Sequence, residues 1–94
     1  MYPTETQLHI LRSWAQQTPQ VREAYLFGGY AKGEADSGSD IDIGIEASPG
    51  NWTALAAKWE KHLTDQLGVT VNICTLANAT VREYCDTFSV PLKR

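Results

Sequence analysis

At 94 residues the chain predicts one domain, spanning residues 1–94, and a chain of that size buries roughly two-thirds of the surface it exposes when unfolded. Its formal charge of −3, with Lys and Arg scattered singly, excludes an extended nucleic-acid surface, because such a surface needs a basic patch to displace condensed counterions. No apolar run approaches the ~20 residues that cross a bilayer. Met1 to Glu5 lacks the basic-then-apolar layout of a secretion signal, so the expectation is a cytoplasmic protein without a membrane partner. Cys74 and Cys85, with no His nearby in sequence, read as two buried thiols and not as a disulfide or a zinc site.

The first element opens at Thr4, with Gln7 three residues on, the spacing of a capping box. Leu8, Leu11, Trp14 and Ala15 recur at three and four, predicting an amphipathic helix to about Gln17 with Trp14 in the core. Thr18, Pro19 and Gln20 end it, since Pro disfavours helix in the residue before it. Val21 to Phe27, with β-branched Val21 and aromatic Tyr25 and Phe27, reads as a strand, which Gly28 and Gly29 stop. From Tyr30 to Ser39 the chain is small and polar, with room for one helical turn at most, and Tyr30 reads as a loop tyrosine.

A second strand alternates, with Ile41, Ile43 and Ile45 on one side and Asp40, Asp42, Gly44 and Glu46 on the other. Ser48, Pro49, Gly50 and Asn51 make the next break. Trp52, Leu55, Trp59, Leu63 and Leu67 then share a helical face, with Gly68 where a left-handed cap is expected. Val69 to Leu76 predicts a third strand, with Asn72 and Cys74 on the face opposite Val71 and Ile73. A last helix is expected from Asn78 to about Phe88, with Val81, Cys85 and Phe88 inward, and the segment from Pro91 to Arg94 reads as a loose tail. The expected fold class is α/β (α+β), a small mixed three-stranded sheet with helices on one face. The other face stays open and displays Asp40 and Asp42.

Chemistry concentrates in residues 26 to 46, LFGGYAKGEADSGSDIDIGIE. A strand ends in two glycines, where backbone can approach a ligand with no Cβ in the way. The next strand opens with Asp40-Ile41-Asp42, which places two carboxylates on one face about 6.5–7 Å apart along the backbone. Phosphoryl or nucleotidyl transfer needs a polyanion neutralised and held in line, and Mg²⁺ does this with one or two carboxylates plus the substrate's phosphates. Backbone N–H groups of a Gly-rich turn complete a phosphate cradle.

Phe27-Gly28-Gly29-Tyr30-Ala31-Lys32-Gly33 followed by Ser39-Asp40-Ile41-Asp42 resembles the signature of the DNA polymerase β-like nucleotidyltransferase superfamily. The nearest likeness is to its minimal nucleotidyltransferases, many of which serve as antitoxins to a HEPN-type toxin. The resemblance implies a nucleotidyltransferase-like fold and a Mg²⁺-dependent enzyme, with two ions, that transfers a nucleoside monophosphate to a hydroxyl. The donor it implies is ATP or another NTP, with AMP the group moved, and in antitoxin members the acceptor can be a tyrosine of the HEPN-type partner. It also implies roles: Asp40 and Asp42 as catalytic residues and metal ligands, and Gly28 and Gly29 on the triphosphate, with Lys32 and Ser39 as helpers.

Two positions depart from the pattern. Gly29 stands where the family has Ser, and Asn72 stands on the third strand where active members place an acid. As the counterpart of that catalytic acid, Asn72 offers a carbonyl oxygen but takes no proton. Glu46 lies too far along its strand to share a metal, at about 13 Å, whereas Glu34 and Asp36 are better placed in the loop. These departures support an alternative, a catalytically weakened antitoxin or nucleotide-binding regulatory subunit. An oligomer is compatible with either reading.

Overall fold

The computed structural model describes residues 1–48 and 52–94, so the expected break at Pro49, Gly50 and Asn51 lies outside the described residues. The elements are α1 (Glu5–Gln17), β1 (Val21–Phe27), α2 (Gly29–Lys32), β2 (Ile41–Ala47), α3 (Trp52–Leu67), β3 (Val71–Thr75), α4 (Ala79–Thr87) and β4 (Val90–Lys93). Local chemistry sets the helix ends. Thr4 Oγ1 accepts from Gln7 N–H while Gln7 Oε1 accepts from Thr4 N–H, a closed capping box at α1. Asn78 Oδ1 accepts from the N–H groups of Thr80 and Val81 and starts α4.

The strands form one sheet in the order β3-β2-β1-β4. β2 runs parallel to β3, and β1 is antiparallel to both β2 and β4. The sheet is therefore mixed, as expected, but it has four strands instead of three. The expected loose tail is β4. Pro91 cannot donate to a ladder, so it fits only at an edge, and β4 is that edge, with Pro91 opposite Tyr25. Arg12 and Gln16 of α1 reach over it and donate to the Pro91 and Leu92 carbonyls. The opposite edge is covered as well: the Ile73 N–H donates to Glu60 Oε2 at 2.7 Å, and the Val71 N–H to Thr64 Oγ1 at 3.0 Å. Edges closed in this way are poor templates for pairing with another chain.

Ile41, Ile43, Ile45, Ala24, Leu26 and Val71 carry the main core against Leu11, Trp14 and Ala15 of α1 and Leu63 of α3. A bulge between Val21 and Glu23 shifts the alternation by one residue, which puts Val21 on the same face as Ala24. Trp59 meets Trp14 edge to face, with centroids 5.8 Å apart. Tyr30 is a core residue and not a loop tyrosine, at 3% exposure, because the single turn of α2 folds it under β1.

The second face of the sheet is not open throughout, a further correction. There α4 packs Val81 and Cys85 against Phe27, Tyr25, Cys74 and Leu76. Gly44 makes the approach feasible, since a Cβ there would stand 3.0 Å from both Cys85 Sγ and Leu76 Cδ2. Helices therefore lie on both faces, and α4 leaves one end of the second face uncovered.

Candidate active site

That uncovered end is where β1 turns into α2 and β2 begins. Phe27 and Asp42 are register partners across β1 and β2, and Asp42 and Asn72 are partners across β2 and β3. Gly28 follows Phe27 with φ 78° and ψ −155°, a backbone region that is essentially glycine's alone. A Cβ there would stand 3.0 Å from Asp42 Oδ2. The glycine bend and the acidic strand, separate in sequence, are thus in contact. The Gly28 carbonyl accepts from the Ala31 and Lys32 N–H groups and closes the short turn of α2.

Asp40 is exposed and Asp42 is half-buried. Asn72 Nδ2 joins them, donating to Asp40 Oδ2 at 3.0 Å and to Asp42 Oδ1 at 3.3 Å. Burial is the main cause that raises the Asp42 carboxyl above its ordinary value; the Asn72 hydrogen bond opposes it and the Asp40 charge adds to it. Cys74, next on the same face, has its thiol pushed up by burial and then by the Asp42 charge. That shift disfavours the thiolate, as burial does for packed cysteines. Both cysteines are free, as expected, with Cys85 buried and Cys74 partly so.

A cleft of about 540 Å³ opens beside this cluster, lined on one side by Gly28, Gly29, Lys32, Glu34 and Asp42. Its other wall is α4, through Thr80, Glu83, Tyr84 and Thr87, with Phe88 just beyond. Lys32 is exposed and reaches the cleft, as Gly28 and Gly29 do. Ser39 is held elsewhere: its hydroxyl accepts from the Asp36 N–H at 3.0 Å and donates to Asp36 Oδ1 at 3.2 Å. Asp36 Oδ1 also takes the Gly38 N–H, so of the two loop acids Glu34 is the one that lines the cleft. Glu46 points away, toward Glu23 across the strands, and that shared contact raises its carboxyl while lowering Glu23's.

The α4 wall was not apparent from the sequence. Residues 80, 83, 84 and 87 recur at helical spacing, but they are polar or amphipathic and read as a solvated face. Phe88, expected inward with Val81 and Cys85, is 48% exposed. The helix ends at Thr87, and Phe88 is extended (φ −160°, ψ 121°), so its side chain leaves the helical register.

The family model described as "Nucleotidyltransferase domain" matches residues 9–89. No curated protein sequence matches the chain. Among solved structures, one described as a toxin–antitoxin with AMP-PNP superposes with a TM-score of 0.75 at 23% identity, over 95% of this chain and 72% of that one. The toxin–antitoxin MntA-HepT superposes with a TM-score of 0.67 at 20% identity, over 93% and 68%. A complex of tri-AMPylated Shewanella oneidensis HEPN toxin with its MNT antitoxin gives 0.65 at 18%, over 90% and 71%. At these identities the likeness is one of fold. With 81 of its residues under the family model, the chain belongs to the nucleotidyltransferase domain family.

Proposed function

We propose that the cleft binds a nucleoside triphosphate with Mg²⁺ and transfers its nucleoside monophosphate, AMP from ATP, to a hydroxyl group on a HEPN-type partner protein. One observation carries the reading: Asp40 and Asp42 converge on the Asn72 amide beside the Gly28 bend, and Asp42 lines the cleft with Gly28 and Gly29. Among the described residues no third acidic, His or Cys side chain joins them. Two converging carboxylates still fit Mg²⁺, which completes its octahedron with phosphates and water. Bound there, the ion would neutralise the phosphate charge and polarise the bond under attack.

The chain's own residues then have distinct tasks. Asp40 and Asp42 would hold the ion, and Gly28 and Gly29 let the phosphates approach the first N–H groups of α2, which have no partners within the helix. Lys32 adds positive charge at the same end. The acceptor oxygen forms its bond to the α-phosphorus, the bond to the β-phosphate breaks and pyrophosphate leaves. The hydroxyl proton needs a base, and Glu34 is the acid on the glycine side of the cleft besides Asp42, which would hold the ion; Glu83 lies on the far wall. Asn72 cannot accept it, having no basic site.

A second reading has its own support. The Asn72 amide already donates to both carboxylates where active family members place an acid, which favours a nucleotide-binding antitoxin or regulatory subunit with weakened turnover. Transfer of label from α-labelled ATP to a HEPN-type partner separates the two. The enzyme reading expects label on the partner, lost with Asp42→Asn; label that persists undiminished in that variant removes the mechanism. Tight partner binding without label supports the regulatory reading.

A further inference from the structure

The α4 wall of the cleft carries an aromatic surface for which metal and phosphate binding give no reason. Tyr84 lies nearly parallel to Phe27, with centroids 6.2 Å apart and planes 13° apart. Phe27 is buried, whereas Tyr84 is 57% exposed, so much of the Tyr84 ring meets solvent beside a buried partner. Phe88, 48% exposed, lines the same space. Large exposed rings cost solvation without adding to the core, and these two sit where α4 bounds a cleft whose other wall is Gly28, Gly29 and Asp42. Phe27 links the two halves directly, since it is the register partner of Asp42 and the stacking partner of Tyr84.

We infer that Tyr84, backed by Phe27, is the platform on which the base of the bound nucleotide stacks. This rests on the nucleotide reading of the cleft and adds which wall holds the base. The cleft's size suits a mononucleotide, within the ~300–1,000 Å³ of small-ligand sites. Its polarity is divided as a nucleotide's is, with a charged glycine-rich end for phosphates and an aromatic end for a flat ring. Stacking a base on an aromatic side chain is worth about 1–3 kcal/mol, or roughly 5- to 150-fold in affinity. Because every base has a π-face, the platform favours the larger purine ring and discriminates weakly between adenine and guanine. Glu83 and Thr87 line the same wall and supply its polar groups.

Calorimetry with three ligands at fixed Mg²⁺ tests the inference: ATP, CTP and inorganic tripolyphosphate, each against the unaltered protein, Tyr84→Ala and Tyr84→Phe. Tyr84→Ala is expected to weaken ATP about tenfold or more, CTP less, and tripolyphosphate not at all, while Tyr84→Phe keeps ATP affinity. An equal loss for ATP and tripolyphosphate overturns the platform, because it marks a general distortion of the site. Unchanged ATP affinity in Tyr84→Ala also overturns it but leaves nucleotide binding standing, even if partner binding weakens and shows the ring to be a protein contact. If the unaltered protein binds neither ATP nor tripolyphosphate, the nucleotide reading falls and the platform falls with it.

Discussion

Asn72 donates to the carboxylate of its register partner Asp42 at 3.3 Å across the parallel β2–β3 pair. The same amide reaches Asp40 Oδ2, so a neutral side chain bridges two like charges.

Replacing that amide with a third carboxylate, Asn72→Asp, removes two hydrogen bonds and adds repulsion. In chelator the loss is expected to be about 1 kcal/mol, the scale of a typical net hydrogen bond. That corresponds to a melting temperature lower by roughly 4–8 °C for a domain of this size. Millimolar Mg²⁺ should return the loss and raise the variant's melting point by more than it raises the parent's. Equal Mg²⁺ responses in the two proteins would show that the three positions do not share an ion.

Gly28 and its neighbour Gly29 should differ sharply in tolerance. Gly28→Ala forces a Cβ into a positive-φ conformation and to within 3.0 Å of Asp42 Oδ2, at a cost of about 1–3 kcal/mol. At Gly29 a Cβ meets only ordinary contacts, the nearest being Ala35 N at 3.5 Å. Gly29→Ser should therefore fold with a melting point within a few degrees of the parent and supply the hydroxyl that the family signature carries there. Urea denaturation of both variants checks the contrast, and similar losses at the two sites would contradict it.

Acid should act on Asp42 in an unusual direction. Burial raises its folded-state carboxyl above the unfolded value, so its protonated form is the one the fold prefers. The stabilisation from that protonation is complete below the ordinary 3.8 of an Asp and fades as pH rises through the raised value. Asp42→Asn mimics the protonated form, so its stability advantage over the parent should be largest at neutral pH and shrink as pH falls. Protons also compete with a cation for this carboxylate, so Mg²⁺ affinity should begin to fall at a higher pH than for an exposed pair. Parallel pH profiles for parent and variant would remove the argument.

The last strand is structural. Leu92 is 3% exposed in the main core, and Leu92→Ala should cost about 2–5 kcal/mol, lowering the melting temperature by roughly 10 °C or more. A loose tail would leave it unchanged.

Elements with strong local signals were legible in short stretches of the chain. The capping box at Thr4, the strand Val21–Phe27, the Ile41–Ile43–Ile45 alternation and the left-handed stop at Gly68 each depend on neighbours a few residues apart, and the structure keeps all four. The Gly28–Asp42 juxtaposition was legible only as a family pattern, and antiparallel pairing of β1 with β2 made it a contact. Tertiary structure alone decided the rest. β4 has only four residues and contains a proline, so it becomes a strand because β1 offers it an edge. The α4 wall acquired meaning only when Gly44 let that helix settle on the second face and carried Tyr84 onto Phe27. Local periodicity states which residues share a face; what that face meets depends on contacts between distant segments, which no short window contains.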